Sequence, residues 1–100
     1  MKYLNAGEKK GRRVIISVIG PDRVGIIAGV TTILAENNIN ILDISQTIMQ
    51  EFLVMVLIAD MEQSKIDLST LKDRLIAKGF ELGVRIDAQN EDVFNFMHRL

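Results

Sequence analysis

The sequence predicts an α+β domain in which two helices cover one face of a four-stranded antiparallel sheet. Four segments have the length and apolar patterning of strands, and two longer segments repeat their apolar residues at helical spacing. These six segments follow one another in the order β-α-β-β-α-β, and a short helix is predicted after them. With the right-handed crossovers that β-α-β units almost always make, this order gives a ferredoxin-like sandwich.

The first strand is predicted at residues 14–19, an apolar and largely β-branched run that ends at Gly20 and Pro21. Because only Ser17 interrupts it, this strand is expected at the centre of the sheet. Pro21 cannot donate to a sheet ladder and is expected to stop the strand. Asp22 follows as a candidate N-cap or turn residue for the first helix.

The first helix is predicted to run to about Glu36. Its apolar residues recur at helical spacing and are expected to form one buried face; they are Ile26, Ile27, Val30, Ile33 and Leu34. Gly29 costs about 1 kcal/mol relative to alanine inside a helix, which predicts a close contact with a neighbouring element at that point. Asn37 and Asn38 are expected to end the helix, since Asn tolerates the left-handed conformation used at C-caps.

The second and third strands are predicted as a hairpin, at residues 39–49 and 52–59, with residues 50–51 as the turn. The apolar residues change parity near Ile41 and Leu42, which predicts a bulge at the start of the second strand. The third strand is apolar at every position, whereas a strand with one face in water alternates. We therefore expect its second face to be covered, by another subunit or by the C-terminal segment.

The remaining residues repeat the helix–strand order. A helix capped by Asp67 or Ser69 is expected to end at Gly79. Its inward-facing residues are predicted to be Leu68, Leu71, Leu75 and Ile76. Residues 81–89 alternate apolar and polar side chains, as an edge strand does. Residues 91–100 begin acidic and end basic, which suits the dipole of a short helix, and their apolar residues predict packing on the open sheet face, in the same chain or a partner.

The composition bounds the kind of protein. One hundred residues, 48% of them hydrophobic, suffice for one domain with one core. The net charge of −1 gives no general attraction to nucleic acid or an anionic membrane, and the absence of cysteine excludes disulfides and thiolate metal sites. No signal peptide is recognisable, and the longest apolar run, residues 52–59, is too short for a membrane span. We therefore expect a cytoplasmic protein.

Residues 1–12 are predicted to form a flexible N-terminal segment, and residues 13–100 a single domain that includes the C-terminal helix. A basic cluster lies where the two meet: Lys9, Lys10, Arg12 and Arg13. The alternative is a basic arm for RNA or an acidic partner. This alternative is less favoured, because no aromatic residues interleave these charges to stack on bases.

Residues suited to catalysis are sparse. His98 is the only histidine, and its place in the C-terminal segment predicts a surface residue rather than a catalytic base or metal ligand. Residues 20–25 have the glycine spacing of a phosphate loop, but two isoleucines follow where lysine and a hydroxyl residue would be needed. Asp22 and Asp43 are two carboxylates whose separation the sequence leaves open. We therefore expect no enzyme activity, no cofactor and no metal.

A small-ligand site at the start of the first helix is the one kind of binding chemistry for which the sequence supplies suitable residues. Unpaired N–H groups and a partial positive charge suit a helix N-terminus to a carboxylate. Asp22 is suited to the ammonium of the same ligand, and Asn40 offers a donor and an acceptor. On residue types alone, the more favoured interpretation is that Asp22 only caps the helix, Arg23 is solvated and Asn40 satisfies the strand end. One helix end contributes at most ~2 kcal/mol and a micromolar ligand needs about 8 kcal/mol, so a second wall is required.

Three stretches of the sequence resemble the ACT domain. They are GPDRVGII at residues 20–27, the helix ending LAENN at 34–38, and INILDISQT at 39–47. The D-R-x-G-[IL]-[IL] turn and the N-I strand start carry the resemblance. The ending NEDVFNFMHRL is similar to that of small stand-alone ACT-domain proteins akin to the glycine-cleavage-repressor type, so the resemblance covers about residues 13–100.

The resemblance implies a regulatory module that binds amino acids or similar small ligands. Such domains usually pair side by side into an eight-stranded sheet, which implies a homodimer or a higher oligomer. The ligand then lies between the strand–helix turn of one chain and the second strand of the other. The residues that match these two places are Asp22, Arg23, Val24, Gly25 and Ile26 in the turn and Asn40, Ile41 and Leu42 in the strand.

The match departs from the serine-sensing members of the family at two positions. Those members have histidine where this sequence has Gly20, and asparagine where it has Asp22, so the resemblance does not imply serine as the ligand. Regulatory ACT domains are also often joined to an enzyme, and this sequence contains none. The module is therefore expected to act on a partner protein or to carry its ligand. The alternatives are a protein-interaction module with a vestigial ligand site and, less favoured, an RNA-associated protein.

Overall fold

A computed structural model describes residues 12–98, apart from the side chain of His98. The predictions for residues 1–11, and for His98 as a surface residue, therefore lie outside the described residues. The elements are β1 (Arg13–Pro21), α1 (Ile26–Glu36), β2 (Asn40–Met49), β3 (Phe52–Asp60), α2 (Leu68–Leu82), β4 (Arg85–Asn90) and α3 (Glu91–His98). This is the predicted order, with the short helix at the end.

The four strands form one sheet in the order β2-β3-β1-β4, and every neighbouring pair is antiparallel. The predicted fold class is therefore confirmed, as are the central position of β1 and the edge position of β4. The register of β2 shifts between Ile41 and Asp43, which confirms the predicted bulge. The hairpin turn is also confirmed, with Gln50 and Glu51 both in the left-handed conformation that suits tight hairpins.

One face of the sheet packs against α1 and α2 and forms the core. Side chains of alternate strand residues point into the core. Its fully buried members are mostly large aliphatic side chains, and the burial of each stabilises the fold by about 1.5–3 kcal/mol. They include Ile16, Val18, Leu53, Met55 and Leu57 from the strands and Ile26, Val30, Leu34, Leu71 and Leu75 from the helices. The helices meet at Gly29, where an added Cβ would lie 3.1 Å from Leu82 Cδ1. The predicted close contact at Gly29 is confirmed.

Two predictions about the helices are wrong. Ile27 and Ile76 are predicted in the core but are 43% and 45% exposed, because each helix presents only a narrow stripe of its surface to the sheet. In addition, α2 does not end at Gly79. It continues to Leu82 and stops at Gly83, which adopts the left-handed conformation with φ 76°. Gly79 lies inside the helix because α2 approaches β4 so closely there that a Cβ would lie 2.6 Å from the carbonyl oxygen of Val84.

The second face of the sheet carries α3, which packs against β1 and β4 of the same chain. Arg13 shares this face of β1 with Ile15, and its guanidinium donates to both carboxylate oxygens of Glu91 at 3.1 and 3.0 Å. This bidentate pair fixes the start of the helix on the sheet. The C-terminal segment therefore covers part of the face, while Val54 and Val56 of β3 remain half-buried on it.

Candidate functional site

The turn between β1 and α1 is held by contacts on two sides. The main-chain N–H of Asp22 donates to the carbonyl oxygen of Glu51 at 2.8 Å, which ties the turn to the β2–β3 hairpin. On the other side, a Cβ added to Gly20 would lie 2.8 Å from Val84 Cγ1 and 3.0 Å from Val84 Cα. Gly20 is therefore required by the close approach of Val84, and no larger side chain fits at this position.

The start of α1 is open. Gly25 is the N-cap residue, with φ 93° and ψ −7°, and none of the described side chains caps this helix. The prediction that Asp22 could cap it is wrong: the main chain of Asp22 is bound to the hairpin, and Gly25 takes a left-handed conformation that side-chain-bearing residues rarely adopt. A Cβ at Gly25 would meet nothing within 4 Å. No described side chain therefore caps the first N–H groups of α1, and such a helix N-terminus favours an anion.

The other turn residues point in different directions. Arg23 extends towards the end of α2, where a Cβ on Gly83 would lie 3.4 Å from its Cζ. A cation is stabilised there by the partial negative charge of a helix C-terminus. The side chain of Val24 is fully exposed, whereas that of Ile26 is buried in the core. Only the main chain of Ile26 is therefore placed to meet a ligand in front of the turn.

Asn40, Ile41 and Leu42 lie at the opposite end of the sheet from the turn. β1 and β2 both run antiparallel to β3, so they are parallel to each other. Gly20 is level with Leu53 of β3, whereas Asn40 is level with Asp60. Leu53 and Asp60 are seven positions apart in β3, a distance of roughly 23 Å along the strand. Within one chain, the two groups of predicted ligand residues are not brought together.

A shallow groove lies beside the start of β2. Its volume is about 410 Å³, and it is lined by Thr31, Thr32 and Ala35 of α1 and by Ile39, Asn40 and Ile41. The threonines were not among the residues predicted for the site. A sequence signal for them does exist. The threonines lie on α1 away from its apolar face, a short distance before β2 in the chain, and this side of the helix lies beside β2 when the apolar face packs in the core.

Residues suited to metal or acid–base chemistry are not grouped in the described part of the chain. Among residues 12–98, no three His, Cys, Asp or Glu side chains lie close enough to hold a metal ion. Asp43 pairs with Ile58 near the start of β2, and its carboxylate accepts from the N–H of Ile44 at 2.9 Å, so it is remote from Asp22. None of the helices described is both long and apolar enough to cross a bilayer.

The fold, with its glycine-ended turn before α1, is that of a known class of regulatory domain. The family model of the ACT domain matches residues 12–89. This chain therefore belongs to the ACT domain family, whose members are regulatory ligand-binding modules, as the resemblance in the sequence predicted.

Individual proteins are also similar to this chain in sequence and in structure. The chain is similar to the UPF0237 protein of Methanocaldococcus jannaschii, with 53% identity over 88 residues that cover 88% of this chain and 98% of that protein. Among solved structures, the ACT domain protein from Streptococcus pneumoniae has a TM-score of 0.74 and 36% identity, covering 85% of this chain and 96% of that one. A putative glycine cleavage system transcriptional repressor shares the fold, with a TM-score of 0.70 and 17% identity over 88% of this chain and 51% of that one.

Proposed function

We propose that this chain is a non-catalytic, cytoplasmic regulator that binds a small amino-acid-like ligand between two copies of itself and signals to a partner protein. The observation that carries the proposal is the placement of the predicted ligand residues. The Asp22–Gly25 turn and the Asn40 strand start lie at opposite ends of the sheet, although one helix end is too weak to bind a ligand alone. A second chain is the simplest source of the missing wall.

The edge of the sheet formed by β2 is suited to that second chain. Ile44 and Ile48 lie on the helix side of β2, opposite Leu57 and Leu53, yet they are 42% and 53% exposed because α1 does not cover them. Exposed apolar residues along a long edge strand favour pairing with another strand. Side-by-side pairing of two β2 strands would cover these residues and continue the sheet.

The direction of β2 allows such pairing to bring the two halves of the proposed site to the same level. In an antiparallel pair centred near Ser45, the middle of the strand, Ile48 of one chain lies level with the partner's Leu42. Ile48 is itself level with Leu53, and therefore with Gly20 at the start of the turn. The pairing thus brings the start of one β2 to the level of the other chain's turn. Two identical sites result, related by the twofold axis.

Each part of the site has a chemical role in this proposal. The open N–H groups at the start of α1 bind the ligand carboxylate, and the Asp22 carboxylate binds its ammonium. The partner's Asn40 supplies a further donor and acceptor. The contact between Gly20 and Val84 leaves no room for the histidine of serine-sensing members. The ligand is therefore expected to differ from serine.

The experiment is calorimetric titration of the full chain with the individual amino acids, followed by subunit complementation. In this proposal Asp22→Ala and Asn40→Ala each damage both sites of a homodimer, so each variant alone loses binding. Co-refolded at equal amounts, the two variants form heterodimers with one intact and one doubly damaged site. Binding should then return to about one quarter of the sites, with the affinity of the wild-type chain.

Three results would contradict the proposal. The first is a wild-type chain that binds none of the amino acids, as a module with a vestigial site would. The second is a binding chain whose mixed variants recover nothing, because the site would then lie within one chain. The third is a monomer by light scattering at micromolar concentration. Asp73→Ala, at an exposed carboxylate of α2, is the matched control and should bind as the wild-type chain does.

A further inference from the structure

β4 forms the other edge of the sheet, and a groove of about 460 Å³ runs along it on the helix side. β4 and the residue before it contribute the consecutive residues 84–87 to one wall. Because alternate side chains of a strand point to opposite faces, a wall made by consecutive residues includes the main chain of the strand edge. The opposite wall is the outer side of α2, where Phe80 is 85% exposed and Ile76 is also exposed.

The charged residues of this edge are complementary to the same residues of a second, antiparallel copy. Arg85 and Asp87 lie on one face of β4, with Ile86 between them on the helix side. Their side chains form an exposed pair, with Arg85 Nε 3.3 Å from Asp87 Oδ2. An antiparallel copy of the same three residues presents the opposite charge to each of them. We propose that β4 pairs with β4 of a second copy, in a twofold arrangement centred on Ile86.

The charges select this register over its neighbours. Centred on Ile86, the pair sets Arg85 opposite the partner's Asp87 twice, and the two Ile86 residues face each other. Centring on Arg85 or on Asp87 opposes two like charges directly, which destabilises a strand pair. A slip by a single residue places Ile86 opposite a charged residue and mismatches the two faces of the sheet. The centring on Ile86 satisfies both constraints.

The helix side of the pair is apolar. With the strands joined, α2 of one chain faces α2 of the other across the groove, and Phe80 and Ile76 of both chains lie along the seam. Their burial supplies the hydrophobic part of the association. A strand of six residues with two such side chains gives an interface below the roughly 1,200–2,000 Å² of a stable complex. The association is therefore weak and depends on protein concentration.

This interface is separate from the β2 edge used in the proposed dimer. The two edges lie at opposite sides of the sheet, so both are available at once. A chain that uses both joins dimers into larger assemblies through alternating twofold contacts. A foreign strand would need to carry a basic, an apolar and an acidic residue in that order, whereas a second copy provides this order without any further partner.

Charge reversal tests the pairing directly. Arg85→Asp gives a chain with two acidic residues at this edge, and Asp87→Arg gives one with two basic residues. Each variant alone opposes like charges, and we expect its association through β4 to weaken about tenfold or more. A one-to-one mixture opposes acidic with basic side chains, and the double variant R85D/D87R restores the original complementarity. Both should regain the association of the wild-type chain.

Sedimentation velocity over a range of protein concentrations provides the measurement. If the β2 dimer also forms, the wild-type chain proceeds beyond a dimer and each single variant stops at the dimer. If the β2 dimer does not form, the wild-type chain passes from monomer to dimer and each single variant stays monomeric. The mixture recovers the missing step in either case, so a failure of the β2 dimer is distinguished from a failure of this proposal.

Two controls separate pairing from general effects of charge. Lys65→Asp changes an exposed residue of the loop before α2, beside the end of α1, by the same charge and should leave association unchanged. Circular dichroism checks that each variant is folded; loss of the exposed Arg85–Asp87 pair within one chain has little effect on stability. The proposal is overturned if either single variant associates as the wild-type chain does, or if the mixture of the two does not recover.

Discussion

The two long helices of this domain begin in different ways. α2 starts at Asp67, whose carboxylate accepts from the N–H of Thr70 at 2.9 Å. α1 starts at Gly25, where none of the described side chains provides a cap. Caps of the Asp type are strongly preferred at helix starts because they satisfy N–H groups that otherwise lack a partner. The helix without such a cap is the one that follows the glycine-ended turn of the ACT motif.

The opposite ends of the two helices are both satisfied. α1 ends at Asn37, which is buried; its Nδ2 donates to the Ile33 carbonyl at 2.8 Å and its Oδ1 accepts from Arg74 at 3.1 Å. α2 ends at Gly83, whose N–H donates to the Gly79 carbonyl at 2.8 Å. The open start of α1 is therefore the exception in an otherwise well-terminated pair of helices. The start of α1 is therefore the helix end at which the proposed ligand carboxylate would bind.

The largest contrast between the helices is expected from one substitution made in each. Gly79→Ala in α2 places a methyl group 2.6 Å from the main-chain oxygen of Val84, which cannot yield easily, and should lower the free energy of unfolding by about 1–3 kcal/mol or more. Gly29→Ala in α1 meets only atoms of flexible side chains, Leu82 Cδ1 at 3.1 Å and Lys78 Cδ at 3.4 Å. The roughly 1 kcal/mol gained in helix propensity then offsets the crowding.

Urea denaturation of the two glycine variants measures this contrast. The m-value should stay the same while the midpoint falls for Gly79→Ala and moves little for Gly29→Ala. If both variants lose the same stability, the distinction between a main-chain clash and a side-chain contact is wrong.

A smaller contrast is expected between the aspartates near the two helix starts. Asp67→Ala removes the α2 cap and should lower Tm. Asp67→Ser keeps an oxygen acceptor and should retain most of the wild-type stability. Asp22→Ala removes no cap, so its stability should remain within about 0.5 kcal/mol of the wild-type chain. Thermal unfolding by circular dichroism checks all three. A Tm loss for Asp22→Ala equal to that for Asp67→Ala would show that Asp22 supports α1 after all.

The smallest effect expected is the pH dependence of the α2 cap. Hydrogen bonds from Thr70, first that of its main-chain N–H, lower the pKa of Asp67 below its ordinary value of 3.8. Because the folded pKa lies below the unfolded one, the stabilisation is complete above the unfolded pKa and is lost as the pH falls through the folded pKa. The Tm difference between the wild-type chain and Asp67→Ala should therefore be constant near neutral pH and shrink below about pH 4. A difference that persists unchanged to pH 2 would contradict this assignment.

Most of the element order could be predicted from the sequence because the relevant patterns are local. Asn38 was expected in a left-handed conformation at the end of α1 and has φ 62°. The bulge after Ile41 followed from a change of parity over adjacent residues. The sequence predicts Asp67 or Ser69 as the N-cap residue of α2, and Asp67 is the one that forms the cap. In each case the residues that decide the structure lie within a few positions of one another.

The errors share a different cause. Gly79 was expected to end α2, and only the position of Val84 reveals that this glycine is needed for close packing inside the helix. Asp22 is a candidate N-cap or turn residue from the sequence, and a hydrogen bond to Glu51, far along the chain, holds its main chain in the turn instead of at the helix cap. Val84 is near Gly79 in sequence, but its position depends on how the following strand β4 joins the sheet beside β1, and Glu51 is far from Asp22 in sequence, so no local pattern contained either answer.

The sequence by itself determined the fold class, the family and the residues worth testing, because hydrophobic period, turn residues and the ACT motif are all written in short stretches of chain. Only the tertiary structure decided how those residues relate in space. It set β1 and β2 parallel, which separates the β1–α1 turn from Asn40 by the length of the sheet, and it left α1 without a cap from any described side chain. The physical reason is that strand direction and helix packing depend on contacts between residues far apart in sequence.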